Sequence, residues 1–358
     1  MYSDLYSLLG IPTINSERKY WIIRSESGIY YDDFAVNDYI AIAWDYLSMR
    51  ILEQNKAEDI RVIIEDEEVP ESTDSSDQAR KTKITTIYNK VNNFINEMSE
   101  GDIVLVPGTN SQKVSFGQIC SPPYEKENYA EIFLKENPDS EIIPCPYKKR
   151  RKVKWLKAFD RTNMDIYLYK AFSSHHALSD MKEYAGYIDR ALNPIYLKND
   201  ELHCTLHAGH PNGMSLRTTT RFFAAIQDAL FDIAAQLEDE ISDDSVQLKI
   251  NVHSPGIIEI IGYTAGAGIS ISILTAAVNQ LLNGGKFKIG FKRDVSGNLE
   301  FTLESESEGF AGRKLEDKKL TLKNEAELLS ICKDIDVKSE TFPCETTSGN
   351  SEGENLDN

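Results

Sequence analysis

Residues 19–44 read KYWIIRSESGIYYDDFAVNDYIAIAW, and this stretch decides how the first part of the chain is interpreted. Its two apolar runs, around Trp21 and Trp44, are rich in β-branched and aromatic residues, which is typical of β-strands. The polar and acidic segment between them also holds several aromatic side chains and is predicted to be a loop. This pattern predicts either the packed core of a small barrel or a surface that stacks against a ligand.

The composition bounds the class of protein. The chain has 358 residues, of which 41% are hydrophobic and 27% charged, so it is long enough for two domains with cores of their own. Its formal net charge of −18 argues against binding nucleic acid or anionic lipid through overall electrostatic attraction. Any contact with phosphates must therefore come from a local basic patch.

The cysteines and the chain ends indicate a compartment. Five cysteines are scattered without a CxxC pair, and the first residues lack the basic and apolar regions of a secretory signal. We therefore expect a reduced, cytoplasmic protein. Residues 346–358 hold few core-forming side chains and are predicted to be disordered.

Hydrophobic periodicity predicts an α+β protein with two domains, at 1–192 and 193–345. In the first domain we predict strands at 101–108 (GDIVLVPG) and 113–119, helices at 83–98 and 175–192, and a mobile acidic loop at 65–78. In the second we predict an early hairpin, a helix at 218–240, an alternating strand at 245–252 and a hairpin at 286–305.

An uncharged run, IIGYTAGAGISISILTAAVNQLLNGG, covers residues 260–285. It is long enough to span a bilayer, and Gly262 and Gly266 have the small-residue spacing of packed membrane helices. However, predicted strands flank it directly, and strands on opposite sides of a membrane could not pair. The favoured interpretation is a buried Gly/Ala-rich helix packed on a sheet, and a membrane helix is the alternative.

Four candidate zinc ligands lie within LHCTLHAGH, namely His203, Cys204, His207 and His210. On a strand, His203 and His207 share one face while Cys204 lies on the other, and the HExxH pattern is absent. We therefore predict no metal and no cofactor, and keep a zinc hydrolase as an alternative.

A basic run over 148–157 (KKRRKVKWLK) includes Trp155. Lysine and arginine bind phosphates, and an aromatic face can stack on a base taken out of a duplex. The other interpretation is a solvated strand whose lysines protect a sheet edge from aggregation.

The order of these segments identifies a resemblance. WIIR, YDDF, IAIAW, FINEMSEGDIVLVPG, FGQI and VKWLKAFDR follow one another as in the N-terminal module of Mrr-like restriction-system proteins, which is similar to the PUA/EVE-like barrels that read modified or flipped bases. The likeness covers about residues 20–192. This chain differs in having Ala43 where family members usually have Gly, and in its acidic insertion.

The resemblance implies a mixed β-barrel with helices that reads DNA or RNA in a prokaryotic antiviral defence or restriction-type system. Residues expected to line or support the base-binding cleft are Trp21, Tyr30, Tyr31, Phe34, Trp44, Phe116, Tyr124 and Trp155. Residues expected to bind phosphates are Lys148, Lys149, Arg150, Arg151 and Lys152.

In that family a metal-dependent nuclease often follows the reader module. Here Gln247 and Lys249 have suitable spacing, but a partner aspartate on a preceding strand is missing, and Glu304–Gly309 is too irregular to replace it. We therefore expect a second domain that associates with itself or with a partner protein. The alternatives are a divergent metal nuclease and a membrane-associated effector that uses residues 260–285.

Overall fold

The computed structural model describes residues 3–69, 76–161, 164–165, 167–172, 176–208, 214–238, 241–242, 245–250, 256–263, 267–284, 289–293, 299–303 and 318–338. The chain is α+β and forms two compact units. The first unit comprises residues 17–192; the second joins the N-terminal segment, up to Ser16, to the chain from Asn193 onward. The N-terminal segment was expected in the reader domain. It belongs to the second unit because helix α1 (Ser3–Leu8) contributes Leu5 and Tyr6 to that unit's core.

The first unit is built on a mixed seven-stranded sheet. Its strands are β1 (Tyr20–Ile23), β2 (Tyr39–Ile42), β3 (Ile103–Pro107), β4 (Lys113–Ile119), β5 (Tyr124–Glu125), β6 (Lys149–Asp160) and β7 (Leu178–Asp180). The order is β2-β6-β4-β3-β1-β7, with β5 paired to β6, and the sheet curls into a half-barrel. Strands β1 and β3 run parallel, whereas all other described pairs in this sheet are antiparallel.

Seven α-helices accompany this sheet within the described residues. They are α2 (Tyr31–Val36), α3 (Met49–Gln54), α4 (Ala57–Glu68), α5 (Asp77–Asn92), α6 (Tyr129–Glu136), α7 (Leu168–Ala171) and α8 (Ala185–Leu192). A π-helical turn at Asn93–Glu97 continues α5.

Strand β1 explains why the opening stretch is so rich in aromatic residues. All four of its residues are buried, because the sheet has a core on each face. Tyr20 and Ile22 belong to one core, and Trp21 and Ile23 to the other. The indole nitrogen of Trp21 donates to Asp102 Oδ2 at 3.0 Å, so this tryptophan is a satisfied core residue rather than a stacking surface.

Several local predictions for the first unit need correction. The segment between the first two strands is not all loop, since it contains α2, whose Phe34 is fully buried. The predicted acidic loop at 65–78 overlaps the end of α4 and the start of α5, and residues 70–75 lie outside the described part of the chain. The predicted helix at 175–192 is wrong before Ala185, because residues 178–180 form β7 and pair with β1.

In the second unit the described residues form two antiparallel sheets and, besides α1, three helices. Its strands are β8 (Ile195–Lys198), β9 (Glu201–Ala208), β10 (Val246–Ile250), β11 (Gly256–Tyr263), β12 (Ile289–Arg293), β13 (Leu299–Leu303) and β14 (Lys318–Leu320). Its further helices are α9 (Leu216–Leu237), α10 (Ala267–Leu282) and α11 (Glu325–Asp334). The strand orders are β10-β11-β9-β8 and β13-β12-β14.

The uncharged run is not one helix. Its first residues complete β11, and only Ala267–Leu282 form α10, which is largely buried. A β-carbon at Gly262 would lie 2.5 Å from the Ile271 side chain, which explains why a small residue is needed there. Gly266 lies outside the described residues. Among the helices that are described, none has both the length and the apolarity to cross a bilayer.

Candidate nucleic-acid interface

Two loops with unusual backbone geometry follow the parallel strands β1 and β3. After β1, Glu26, Ser27 and Gly28 have φ angles of 48°, 56° and 96°, and after β3, Asn110 has φ 54°. A β-carbon at Gly28 would lie only 2.3 Å from the backbone nitrogen of Thr109, so only glycine allows this close approach. Left-handed conformations at non-glycine residues are strained and are frequent at ligand sites.

Ser25 begins the first of these loops with an unsatisfied hydroxyl. The residue is fully buried, and its Oγ atom has no hydrogen-bond partner among the described residues. Its carbonyl oxygen accepts hydrogen bonds from the amides of Gly28 (3.0 Å) and Tyr30 (3.1 Å). Because leaving a buried hydroxyl unpaired is unfavourable, the Ser25 side chain is a candidate to bond a ligand.

Tyr147 connects this loop to the start of β6. Its ring meets the ring of Tyr30 edge-on with centroids 5.5 Å apart, and its hydroxyl donates to Glu26 Oε2 at 2.8 Å. Burial, followed by the hydrogen bond to Glu26, raises the pKa of Tyr147 above its ordinary range. Both tyrosines are half-buried, so part of each ring is accessible to a ligand.

Trp44 follows β2 and has a φ of 64°, which is an outlier for a bulky residue. Its carbonyl oxygen accepts a hydrogen bond from Lys149 Nζ at 2.7 Å. The neighbouring Asp45 carboxylate accepts from the Lys148 amide at 3.1 Å and lies 3.3 Å from Lys149 Nζ. The half-buried indole ring has the ammonium of Lys90 5.7 Å from its centroid. These contacts hold a partly exposed tryptophan in a fixed position.

The loops after β1 and β2 both contact the segment that leads into β6, because the ring of Tyr147 contacts Tyr30 and the amide of the next residue, Lys148, donates to Asp45. We refer to the resulting group as the strand-end cluster. It consists of Ser25, Glu26, Tyr30, Trp44, Asp45 and Tyr147.

The centre of the basic run is buried, which corrects the expectation that it binds phosphates. The side chain of Lys149 is 0% exposed, and burial lowers its pKa. Arg150 and Arg151 are also buried, at 1% and 2% exposure. These three cations are therefore structural in this conformation, and their charges are satisfied inside the unit.

Arg150 belongs to an internal network around Asp33. Its guanidinium carbon lies 4.1 Å from the ring centroid of Tyr39 and 3.8 Å from that of Tyr129. The hydroxyl groups of both tyrosines donate to the buried Asp33 carboxylate, which also accepts from the Cys145 amide at 2.7 Å. Burial, followed by the bond to Asp33, raises the pKa of Tyr39 and of Tyr129.

Arg151 fastens the π-helical turn to the sheet. It donates to the carbonyl oxygens of Phe94 (2.8 Å), Ile95 (3.0 Å), Met98 (2.9 Å) and Ser121 (3.1 Å). The backbone carbonyls at a helix C-terminus need partners and favour a cation. This role accounts for one arginine of the run without any ligand.

The exposed cations of the run lie on either side of its buried centre. Lys148 is half-buried, with 40% of its side chain exposed, and forms a 2.7 Å ion pair with Glu127. Lys152, Lys154 and Lys157 are exposed on β6, with Val153 buried between the first two. The cations of the run that are accessible to a phosphate are therefore these lysines and not the arginines.

The remaining predicted aromatic residues have different environments. Phe34 and Phe116 are fully buried, and the Phe116 ring packs on Phe159 at 4.8 Å, so neither contacts a ligand in this conformation. Tyr31 is 8% exposed and its hydroxyl shares a 2.6 Å hydrogen bond with Ser115. Two others are half-buried: Tyr124, opposite Arg150 on β5, and Trp155, whose indole nitrogen donates to Phe34 O at 3.2 Å.

The candidate residues of the second unit that the structure describes lie in separate environments. His203 bonds Glu259 at 2.9 Å and stacks on Tyr196, whereas Cys204 is buried in the core. Gln247 and Lys249 lie on β10, and Lys249 is paired with Glu259 across the strands. Among the described residues there is no group of three His, Cys, Asp or Glu side chains placed to hold a metal, and His210 lies outside them.

Sequence reasoning missed Ser25, Glu26, Asp45 and Tyr147. Tyr147 directly precedes the basic run, and that position could have indicated it. No sequence pattern marks a serine whose hydroxyl is left unpaired, since the feature arises only when the loops after β1 and β3 come together.

The comparison with known families identifies one likeness. Residues 19–179 match the model of a family described as a domain of unknown function, DUF8426, and the match lies within the first unit. No curated protein and no solved structure matches the chain.

Proposed function

We propose that the first unit binds a nucleic acid through the strand-end cluster, and that it reads a base that has left its stack. In this proposal the unit is a PUA/EVE-like reader of a prokaryotic restriction-type or antiviral defence system. The base stacks on Trp44, while Tyr30 and Tyr147 form the opposite aromatic wall. Stacking on an aromatic ring is sequence-tolerant and contributes about 1–3 kcal/mol per base.

The observation that carries the proposal is the fixed position of Trp44. A strained backbone, a buried lysine and a carboxylate hold its ring partly exposed, and the same segment that supplies the lysine carries Tyr147, whose ring contacts Tyr30. A tryptophan needed only for packing has no reason to be held in this way, whereas a ligand platform benefits from being pre-organised. In this proposal the loop after β1 opens on binding, and the Ser25 hydroxyl, which is fully buried and has no partner among the described residues, then bonds the edge of the base.

Phosphate contacts in this proposal come from the exposed Lys152 and Lys154. Because the chain carries a net charge of −18, only such a local patch offsets the overall repulsion. Affinity should therefore fall steeply as salt rises.

The test uses the full chain and fluorescence anisotropy at low salt. The probes are single-stranded RNA, single-stranded DNA and duplex DNA, each unmodified or with methylated cytosine or adenine. We expect one class of these nucleic-acid probes to bind. We expect Trp44→Ala to weaken that binding about tenfold, in line with the loss of one stacking contact. The matched control is Tyr167→Ala, which removes a 43% exposed aromatic ring of the same unit outside the cluster.

Two results would overturn the proposal. One is a wild-type chain that binds none of the probes. The other is an equal loss of binding in Trp44→Ala and Tyr167→Ala, since binding would then not depend on the strand-end cluster.

A further inference from the structure

Strand β10 lies at the edge of the four-stranded sheet of the second unit. All five of its residues pair with β11, and no strand among the described residues pairs with its other side. An open edge presents unpaired backbone groups that can bind another strand, and proteins usually protect it with charge, proline or a bulge. In β10 the only charged residue is Lys249, and proline is absent.

The edge strand also exposes apolar side chains. Val246, Leu248 and Ile250 alternate with polar residues, so they share one face of the strand. Leu248 is 46% exposed and Ile250 is 51% exposed. Hydrophobic residues in such a row are unfavourable in water and point to an interaction surface.

A groove between β10 and α9 continues this surface. Its volume is about 240 Å³, and its apolar lining includes Phe223, Leu230 and Leu248. Phe231 of α9 also lines the groove and is 40% exposed. We call the apolar residues of the strand and the helix margin the β10–α9 patch; they are Phe223, Phe231, Val246, Leu248 and Ile250.

We propose that the β10–α9 patch is the contact between two copies of this chain, related by a two-fold axis through Leu248. The sequence of the strand, VQLKI, suits antiparallel pairing with itself. With Leu248 opposite its own copy, Val246 is opposite Ile250 and Gln247 is opposite Lys249. The apolar residues then share the face that carries α9, and no two like charges are directly opposed.

This pairing gives hydrogen-bond partners to the open backbone groups of β10 and also covers the apolar groove. The sheet of one copy continues into the sheet of the other, and the two α9 helices come to lie side by side over the joint. The exposed Phe231 rings and Leu248 side chains then form a shared core. In an isologous dimer the same patch is used by both copies, so it must be complementary to itself. The protruding Phe231 side chain and the groove beside it lie in one patch and can provide this.

The charge of the chain adds a distinguishing property. Each copy carries −18, so two copies repel one another over long distances, and salt screens this repulsion. The dimer should therefore become tighter as salt rises, which is the opposite of the salt effect on nucleic-acid binding. The two salt responses allow the dimer and the reader function to be tested separately on the same protein.

The test is sedimentation equilibrium of the full chain over a range of concentrations. We expect a dimer for the wild type and a monomer for Leu248→Lys, which places two lysines opposite each other at the axis. The control Val62→Lys changes a 56% exposed residue of α4 in the first unit and should remain dimeric. Circular dichroism of both variants checks that the fold is retained.

A second measurement tests the register. In a background with Cys120→Ser and Cys344→Ser, which removes the exposed cysteine among the described residues and the one that lies outside them, Leu248→Cys should form an intermolecular disulfide under mild oxidation, whereas Val62→Cys should not. A wild type that stays monomeric at high concentration would overturn the proposal. So would a Leu248→Lys chain that remains dimeric, or a dimer that fails to cross-link through Leu248→Cys.

Discussion

The ammonium group of Lys149 donates to the backbone carbonyl of Trp44 at 2.7 Å, and its side chain is entirely buried. The same group lies 3.3 Å from the Asp45 carboxylate, so one lysine fixes two consecutive residues of the loop after β2. The sequence predicted that Lys149 binds phosphate. In the structure it instead supports Trp44, the residue that we propose stacks on the base. The effect of Lys149 on binding is through position rather than contact.

The first prediction concerns this lysine. Lys149→Met should lower the free energy of unfolding by about 1–3 kcal/mol, because it leaves the Trp44 carbonyl and Asp45 without their partner. All three tryptophans lie in the first unit, so tryptophan fluorescence in urea reports the unfolding of that unit. The exposed Lys152→Met should change the same quantity by less than about 0.5 kcal/mol. Equal effects of the two substitutions would contradict the structural role of Lys149.

The second prediction concerns Arg151. A lysine at this position keeps the charge but cannot reach four carbonyl oxygens, because it lacks the planar fork of a guanidinium group. Arg151→Lys should therefore destabilise the first unit by about 2 kcal/mol or more, measured by the same fluorescence method. Lys154→Arg is the matched control on an exposed position of β6 and should be close to neutral.

The third prediction separates stability from binding at Ser25. Since its hydroxyl has no partner among the residues that the structure describes, Ser25→Ala should leave the thermal midpoint unchanged or raise it slightly, while it weakens binding of the nucleic-acid probe. Ser115→Ala is the contrast, because that hydroxyl bonds Tyr31 at 2.6 Å, and its loss should destabilise by about 1 kcal/mol. A marked loss of stability in Ser25→Ala would show that its hydroxyl has a structural partner.

Strands of uniformly apolar, β-branched residues could be predicted from the sequence. Ile103–Pro107 and Tyr20–Ile23 are confirmed as buried strands, because these runs are short and their β-branched and aromatic content favours a strand over a helix. The run at 260–285 was harder, since neutral small residues serve equally in the buried strand β11 and in the buried helix α10. The length of the run favoured one helix. Its first residues form part of β11 instead, because they pair with β9.

The exposure of a charged residue could not be predicted from the sequence. Lys149, Arg150 and Arg151 are consecutive on a strand, where one residue in two normally faces solvent. Here both faces are covered, because Asp45, the Asp33 network and the π-helical turn each provide partners for one cation. Those partners come from distant parts of the chain, so no local pattern distinguishes these cations from the exposed lysines that follow.

The last prediction concerns stability at high pH. Burial raises the pKa of the Cys145 thiol from 9.0 to about 12 in the folded chain, and the pKa of Tyr39 and Tyr129 is raised as well. A group whose pKa is higher when folded stabilises the protein fully below its unfolded pKa and loses that contribution as pH rises toward the folded value. The free energy of unfolding of the first unit should therefore fall between about pH 9 and pH 12.

Urea titrations followed by tryptophan fluorescence at several pH values measure this slope directly. Cys145→Ala removes one of the groups that release a proton on unfolding, so it should make the slope shallower. Cys120→Ser, at an exposed cysteine, is the matched control for removing a thiol from the first unit. A wild type whose stability does not change over this pH range would contradict the burial of Cys145, because a buried thiol resists the ionisation that the unfolded chain undergoes.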